Sequence, residues 1–153
     1  MKRIFSLTLL LILVALCLIG CEAEPSKELS EILKDINTSC NIENAEVLSD
    51  VKELETRYMI ESSDVSTFAA EVSSDNNDLH IVFVKACDEE SAQAVYSSLN
   101  SFYHSQLDIA QTYDDEYAKL LSDCSVERDG NYVSMIIADN AKEIKDTYNS
   151  FFE

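Results

Sequence analysis

The chain has 153 residues, of which 11 are Lys or Arg and 29 are Asp or Glu, giving a formal net charge of −18. Two Gly and one Pro exclude collagen-like and Gly/Pro-rich low-complexity chains. The acidic balance argues against a nucleic-acid partner, which calls for a basic face, and 46% apolar content argues against disorder along the whole length.

Lys2 and Arg3 precede an apolar run over residues 4–19 that is broken only by Ser6 and Thr8. A membrane span needs ~20 residues, so a positive flank with this shorter run predicts an export signal. The next residues, Leu18-Ile19-Gly20-Cys21, resemble the lipobox of bacterial lipoproteins. The resemblance implies a diacylglyceryl group on the Cys21 thiol and cleavage by signal peptidase II just before it. An uncleaved anchor helix is the alternative. The run is short for that, and Glu22 and Glu24 follow at once. The expected organisation is a lipoprotein signal peptide over 1–20, a lipidated Cys and short tether over 21–25, and a single α+β domain over 26–153. The mature chain then has 133 residues with 9 basic and 29 acidic side chains, a net charge of −20. Two acyl chains anchor stably where one is marginal. The expected location is extracytoplasmic, on the outer face of the cell membrane. A tether of residues 22–25 reaches about 14 Å if the first helix packs on the body, and further if that helix is detached.

In chain order, Leu29, Ile32, Leu33 and Ile36 predict an amphipathic helix over 26–37, with Ser26 as its N-cap. Val47, Leu48, Val51, Leu54 and Tyr58 predict a second helix over 45–58. A short strand over 68–73 leads into the turn cluster Ser74-Asp75-Asn76-Asn77-Asp78. Residues 79–87 are β-branched and apolar on both faces, as in an interior strand. Asp88 caps a long helix over 89–111 whose buried face holds Ala92, Val95, Leu99, Phe102, Ile109 and Tyr113. A short helix over 113–121 follows. Asp129-Gly130 between apolar runs 124–128 and 131–138 predicts a hairpin. Asn140 and Glu143 look like a capping box for a closing helix that buries Ala141, Ile144, Tyr148 and Phe151. Two ββα units predict an α+β fold: an antiparallel sheet of about four strands, helices packed on one face, preceded by one or two N-terminal helices.

The strand Ile81-Val82-Phe83-Val84-Lys85, the helix after it, Tyr113 and the strand start Gly130-Asn131-Tyr132-Val133 resemble the domain of unknown function 4358. That family comprises small lipoproteins of Gram-positive anaerobes, and the likeness covers roughly residues 45–153. One departure is Asp114-Asp115-Glu116-Tyr117 where a Pro shortly after Tyr113 is expected. The family has no established activity, so the resemblance implies fold and location but no chemistry.

Chemical motifs are sparse. The mature chain holds one Gly, Gly130, so no phosphate-cradling Gly-rich loop is present, nor a Gly-x-Ser-x-Gly elbow. No catalytic residue, cofactor-binding residue or metal ligand is assigned, and no cofactor is expected. His104 and Asp108 sit one helical turn apart, a spacing that orients an imidazole but is far more often an exposed helix pair. Asp75 to Asp78 resembles half a calcium loop. It lacks the Gly at the sixth position and the closing Glu at the twelfth, which is Ala86. Beyond Cys21, the thiols are Cys40, Cys87 and Cys124. Cys87 ends one strand and Cys124 begins another. A disulfide between them is possible after export, but free thiols are favoured. Tyr96 and Tyr103 fall beside the main stripe of the long helix and are candidates for an exposed aromatic surface.

The expected function is a membrane-anchored binding or interaction module of the cell envelope, not an enzyme. Its partners would be the membrane, through the diacylglyceryl anchor, and an unknown envelope protein or polymer. Its contact surface would be the sheet face left open by the helices. The alternatives are a small envelope hydrolase or transferase using Asp114, Asp115 and Glu116 as paired carboxylates, and a structural accessory lipoprotein.

Overall fold

A computed structural model describes residues 24–73 and 79–153. The expected signal peptide, Cys21 and the expected turn over 74–78 lie outside the described residues. The elements are α1 (Leu29–Ser39), β1 (Ala45–Leu48), α2 (Val51–Tyr58), β2 (Val65–Ser73), β3 (His80–Ala86), α3 (Glu89–Tyr113), α4 (Asp115–Ser122), β4 (Ser125–Asp129), β5 (Tyr132–Ile137) and α5 (Ala141–Asn149). Short 3₁₀ turns lie at Ser62–Asp64 and Ser150–Phe152. The class is α+β, with a five-stranded, wholly antiparallel sheet in the order β1-β2-β3-β5-β4.

The fifth strand comes from the segment expected to begin the second helix. Residues Ala45 to Leu48 pair with Ser73 to Ala70 of β2. Helix α2 starts only at Val51, because Asp50 builds a capping box. Its Oδ1 accepts from the Lys52 N–H at 2.9 Å, and Glu53 Oε2 accepts from the Asp50 N–H at 2.9 Å. A residue in that role has an extended backbone, so the helix cannot run upstream through it. The three-and-four spacing of Val47, Leu48 and Val51 is coincidental, and Val47 is 60% exposed.

The helices occupy both faces of the sheet, not one. Neighbouring strand residues point to opposite faces. His80 of β3 meets the rings of Tyr58 in α2 and Phe102 in α3, whereas Phe83 stacks on Tyr148 of α5. One layer is therefore α2 and α3, and the other is α1 and α5. The apolar character of β3 on both sides requires this, since a strand with two apolar faces needs cover on each. All of β5 is buried, and so is β3 except half-buried Lys85. The open sheet face expected as a contact surface is therefore covered.

Three local expectations shift. Helix α1 begins at Leu29 after Glu28, and Ser26 does not cap it. The Ser26 N–H instead donates to the Phe151 carbonyl at 2.7 Å. On α3, Ala110 is buried while Ile109 and Tyr113 are exposed. Eleven residues make three turns, so Ala110 stands directly over Leu99. The hairpin turn is Gly130-Asn131, one residue later than expected, because Asp129 pairs with Tyr132. Only Gly130 takes a positive φ, 55°, as a type II′ turn requires of its first central residue. Asn140 makes no cap bond, and its Nδ2 donates to the Cys40 carbonyl at 3.2 Å.

Candidate functional site

The described chain enters the fold at one end of the sheet. Lys85 of β3 and Tyr132 of β5 are register partners there, and Lys85 Nζ lies 5.2 Å from the Tyr132 ring centroid. The Glu24 carboxylate accepts from Lys85 Nζ at 2.8 and 2.9 Å and from the Tyr132 hydroxyl. Hydrogen bonds from Lys85 and then Tyr132 hold the Glu24 carboxyl below its usual value. The same bond to Glu24 pushes the Lys85 ammonium up. Lys27 pairs with Asp35 and lies over the Phe151 ring, so the entering segment is tied down again three residues on.

Two grooves flank Tyr132. One, of about 460 Å³, runs between Glu24, Lys27, Thr67 and Lys85. The other, of about 370 Å³, lies between the β4–β5 hairpin and the C-terminus, walled by Tyr132, Ser134, Tyr148 and Phe152 with Asp129 and Arg128 at its rim. Tyr148 is buried there, and its hydroxyl has no hydrogen-bond partner among the described residues. Burial pushes that phenol well above its ordinary range. A buried donor without a partner is costly, and it is available to any polar group entering the groove. Aromatic walls with a few converging polar atoms suit binding.

The residues singled out in the sequence are dispersed. Asp114 caps α4 by accepting from the Tyr117 N–H at 3.0 Å, and Asp115 and Glu116 are exposed in its first turn. They form no desolvated carboxylate pair. His104 and Asp108 are both exposed on α3, and His104 touches only the Tyr103 ring edge among the ring contacts. His80 is buried, with Nδ1 2.8 Å from the Tyr58 hydroxyl. Tyr96 and Tyr103 are half-buried against the core, and the Tyr103 hydroxyl donates to the Leu121 carbonyl at 2.8 Å. They form no exposed aromatic surface.

Cys40, Cys87 and Cys124 are free thiols. Cys87 follows β3 at the Lys85 end. Cys124 precedes β4 at the opposite end, where Ile137 pairs with His80. About seven residues of strand, on the order of 23 Å, separate those ends. A disulfide needs Cα atoms within about 7 Å, so this fold does not pair them. Among the described residues, no group of three or more His, Cys, Asp or Glu side chains is placed to hold a metal ion.

Glu71 is a buried group that the sequence reading passed over. It is fully buried in β2, accepts from Asn37 Nδ2 at 2.7 Å, and its Oε1 has no partner among the described residues. The available signal was a lone charge inside Ala69-Ala70-Glu71-Val72.

No curated protein and no solved structure matches the chain. The family described as Domain of unknown function (DUF4358) matches residues 39–138, about two thirds of the length, and spans the sheet from β1 to β5. The chain belongs to the DUF4358 family.

Proposed function

We propose that this protein is an extracytoplasmic lipoprotein, held on the outer face of the cell membrane by a diacylglyceryl group on Cys21, and that it acts as a binding module of the cell envelope. The observation that carries the reading is Leu18-Ile19-Gly20-Cys21 at the end of a 16-residue apolar run. Glu24, three residues after Cys21, is bonded to Lys85 and Tyr132 of the sheet, which suits an anchor held close to the domain. Among the described residues no helix is long and apolar enough to cross a membrane. The attachment proposed is the lipid on Cys21. The contact region is the groove at Tyr132, Tyr148 and Phe152, in place of the covered sheet face. The partner is an envelope protein or polymer.

The test is fatty-acid labelling of producing cells with membrane fractionation, comparing the wild-type chain with Cys21→Ala. Label and membrane association should be present in the first and lost in the second. An unlabelled wild-type protein, or a Cys21→Ala chain that remains labelled, overturns the reading.

A further inference from the structure

The two ends of the sheet differ in kind. The Lys85 end carries the Gly130-Asn131 turn, Cys87, whose N–H donates to the Asp64 carbonyl, and the start of α3. Arg128 reaches Glu89 at 3.3 Å and so fixes that start beside the hairpin. Helix α3 then runs 25 residues, about 37 Å, to the other end. There Asp114, Glu116, Asp123 and Asp139 surround one hollow of about 510 Å³.

The covalent geometry is restrictive. Three residue steps join Cys21 to Glu24, and they span at most about 11 Å. Glu24 is held by Lys85 and Tyr132, Ser26 by the Phe151 carbonyl, and Leu29 by the core. If residues 24–28 were loose, seven steps would separate Cys21 from Glu28, up to about 25 Å, enough for the domain to roll on its anchor. With them docked, the end of the fold that carries Glu24 is the one held within reach of the surface to which Cys21 is fixed.

We infer that the docking of Glu24 on Lys85 and Tyr132 turns the lipid anchor into an orienting device, with the Cys87 and hairpin end facing the headgroups and the acidic Asp114–Asp139 end directed away. The inference rests on the lipidation of Cys21 proposed above. It places the groove at Tyr148, the proposed contact region, beside the bilayer.

The experiment uses the full-length protein purified from producing cells and reconstituted in phosphatidylcholine–phosphatidylglycerol vesicles carrying a headgroup-linked short-range quencher. One fluorophore is placed on native Cys87, which is exposed. A second sample carries it at position 139, in Asp139→Cys with Cys87→Ser. Cys40 and Cys124 are buried and stay unlabelled in the folded protein. The label at Cys87 should lose most of its emission and the label at 139 should keep it. The contrast should shrink in Glu24→Gln with Lys85→Gln, whose urea midpoint verifies folding. The mass of the mature protein is measured in parallel. A lipidated protein with equal quenching at both positions overturns the orientation alone. A protein without lipid on Cys21 overturns the anchor, and the orientation with it.

Discussion

Phe83 of β3 and Tyr148 of α5 stack face to face, with ring centroids 4.3 Å apart and planes 15° from parallel. Both are buried, and Tyr148 also touches Phe152 at 5.0 Å. The stack joins the centre of the sheet to the closing helix. Phe83→Ala should cost ~3–5 kcal/mol, the range for a large aromatic removed from a close-packed core. A urea titration measures it, and a loss below about 1 kcal/mol would mean that α5 is held by other contacts.

The hydroxyls of buried Tyr58 and Tyr148 should respond differently. The Tyr58 hydroxyl is bonded to His80 Nδ1, whereas the Tyr148 hydroxyl has no partner among the described residues. Tyr58→Phe should destabilise by about 1–2 kcal/mol and Tyr148→Phe should be neutral or slightly stabilising, because only the first breaks a bond. Chemical denaturation of the two variants side by side decides it. Equal losses would indicate that the Tyr148 hydroxyl is satisfied in solution.

Glu71 should make stability depend on pH. Burial raises its carboxyl above the ordinary carboxylate range, and the bond from Asn37 only partly opposes this. The folded state therefore binds the proton more tightly than the unfolded chain. The stabilisation is complete below the ordinary range and fades as pH rises through the raised value. Glu71→Gln removes the titration. It should gain on the order of 1 kcal/mol over wild type at neutral pH, and the gain should vanish near pH 4. A difference that stays constant across that span would contradict the assignment.

The thiols should separate by burial. Cys87 is exposed, while Cys40 and Cys124 are buried, and burial pushes the Cys124 thiol up. A thiol reagent should modify Cys87 in the folded protein and reach the other two only after unfolding. Prior reduction should change nothing. A reductant-dependent rise in labelling would reveal a disulfide that this fold does not hold.

Asp50 divides β1 from α2 through its capping box. Asp50→Ala should cost about 1 kcal/mol. Asn140→Ala should weaken instead the link from α5 to the Cys40 carbonyl, with no change in the helicity of α5 by circular dichroism. Loss of helical signal in that variant would restore Asn140 as a cap.

What was legible in the sequence was local. The stripe Leu29, Ile32, Leu33 and Ile36 is buried as its spacing requires, and the Asp88 carboxylate caps α3 through the Ser91 N–H at 2.8 Å. The hairpin was readable from Gly130, the residue that takes positive φ most readily there. The Asp50–Glu53 box was equally readable, but the apolar spacing across it gave a competing helical signal. The lipobox resemblance, too, is a local pattern.

The groove and the docked N-terminus were not legible, because they join residues remote in sequence. Glu24 and Tyr132 lie 108 positions apart, and Asn37 and Glu71 lie 34 apart. By itself the sequence determined the α+β class, the buried helix stripes and the acidic charge, since each depends on periodicity or composition. Tertiary structure alone decided that a fifth strand completes the sheet, that helices cover both faces, and where Glu24 lands. Those outcomes depend on which distant surfaces meet. Backbone pairing and the burial of both faces of β3 and β5 select that arrangement, and nearest-neighbour patterns do not encode it.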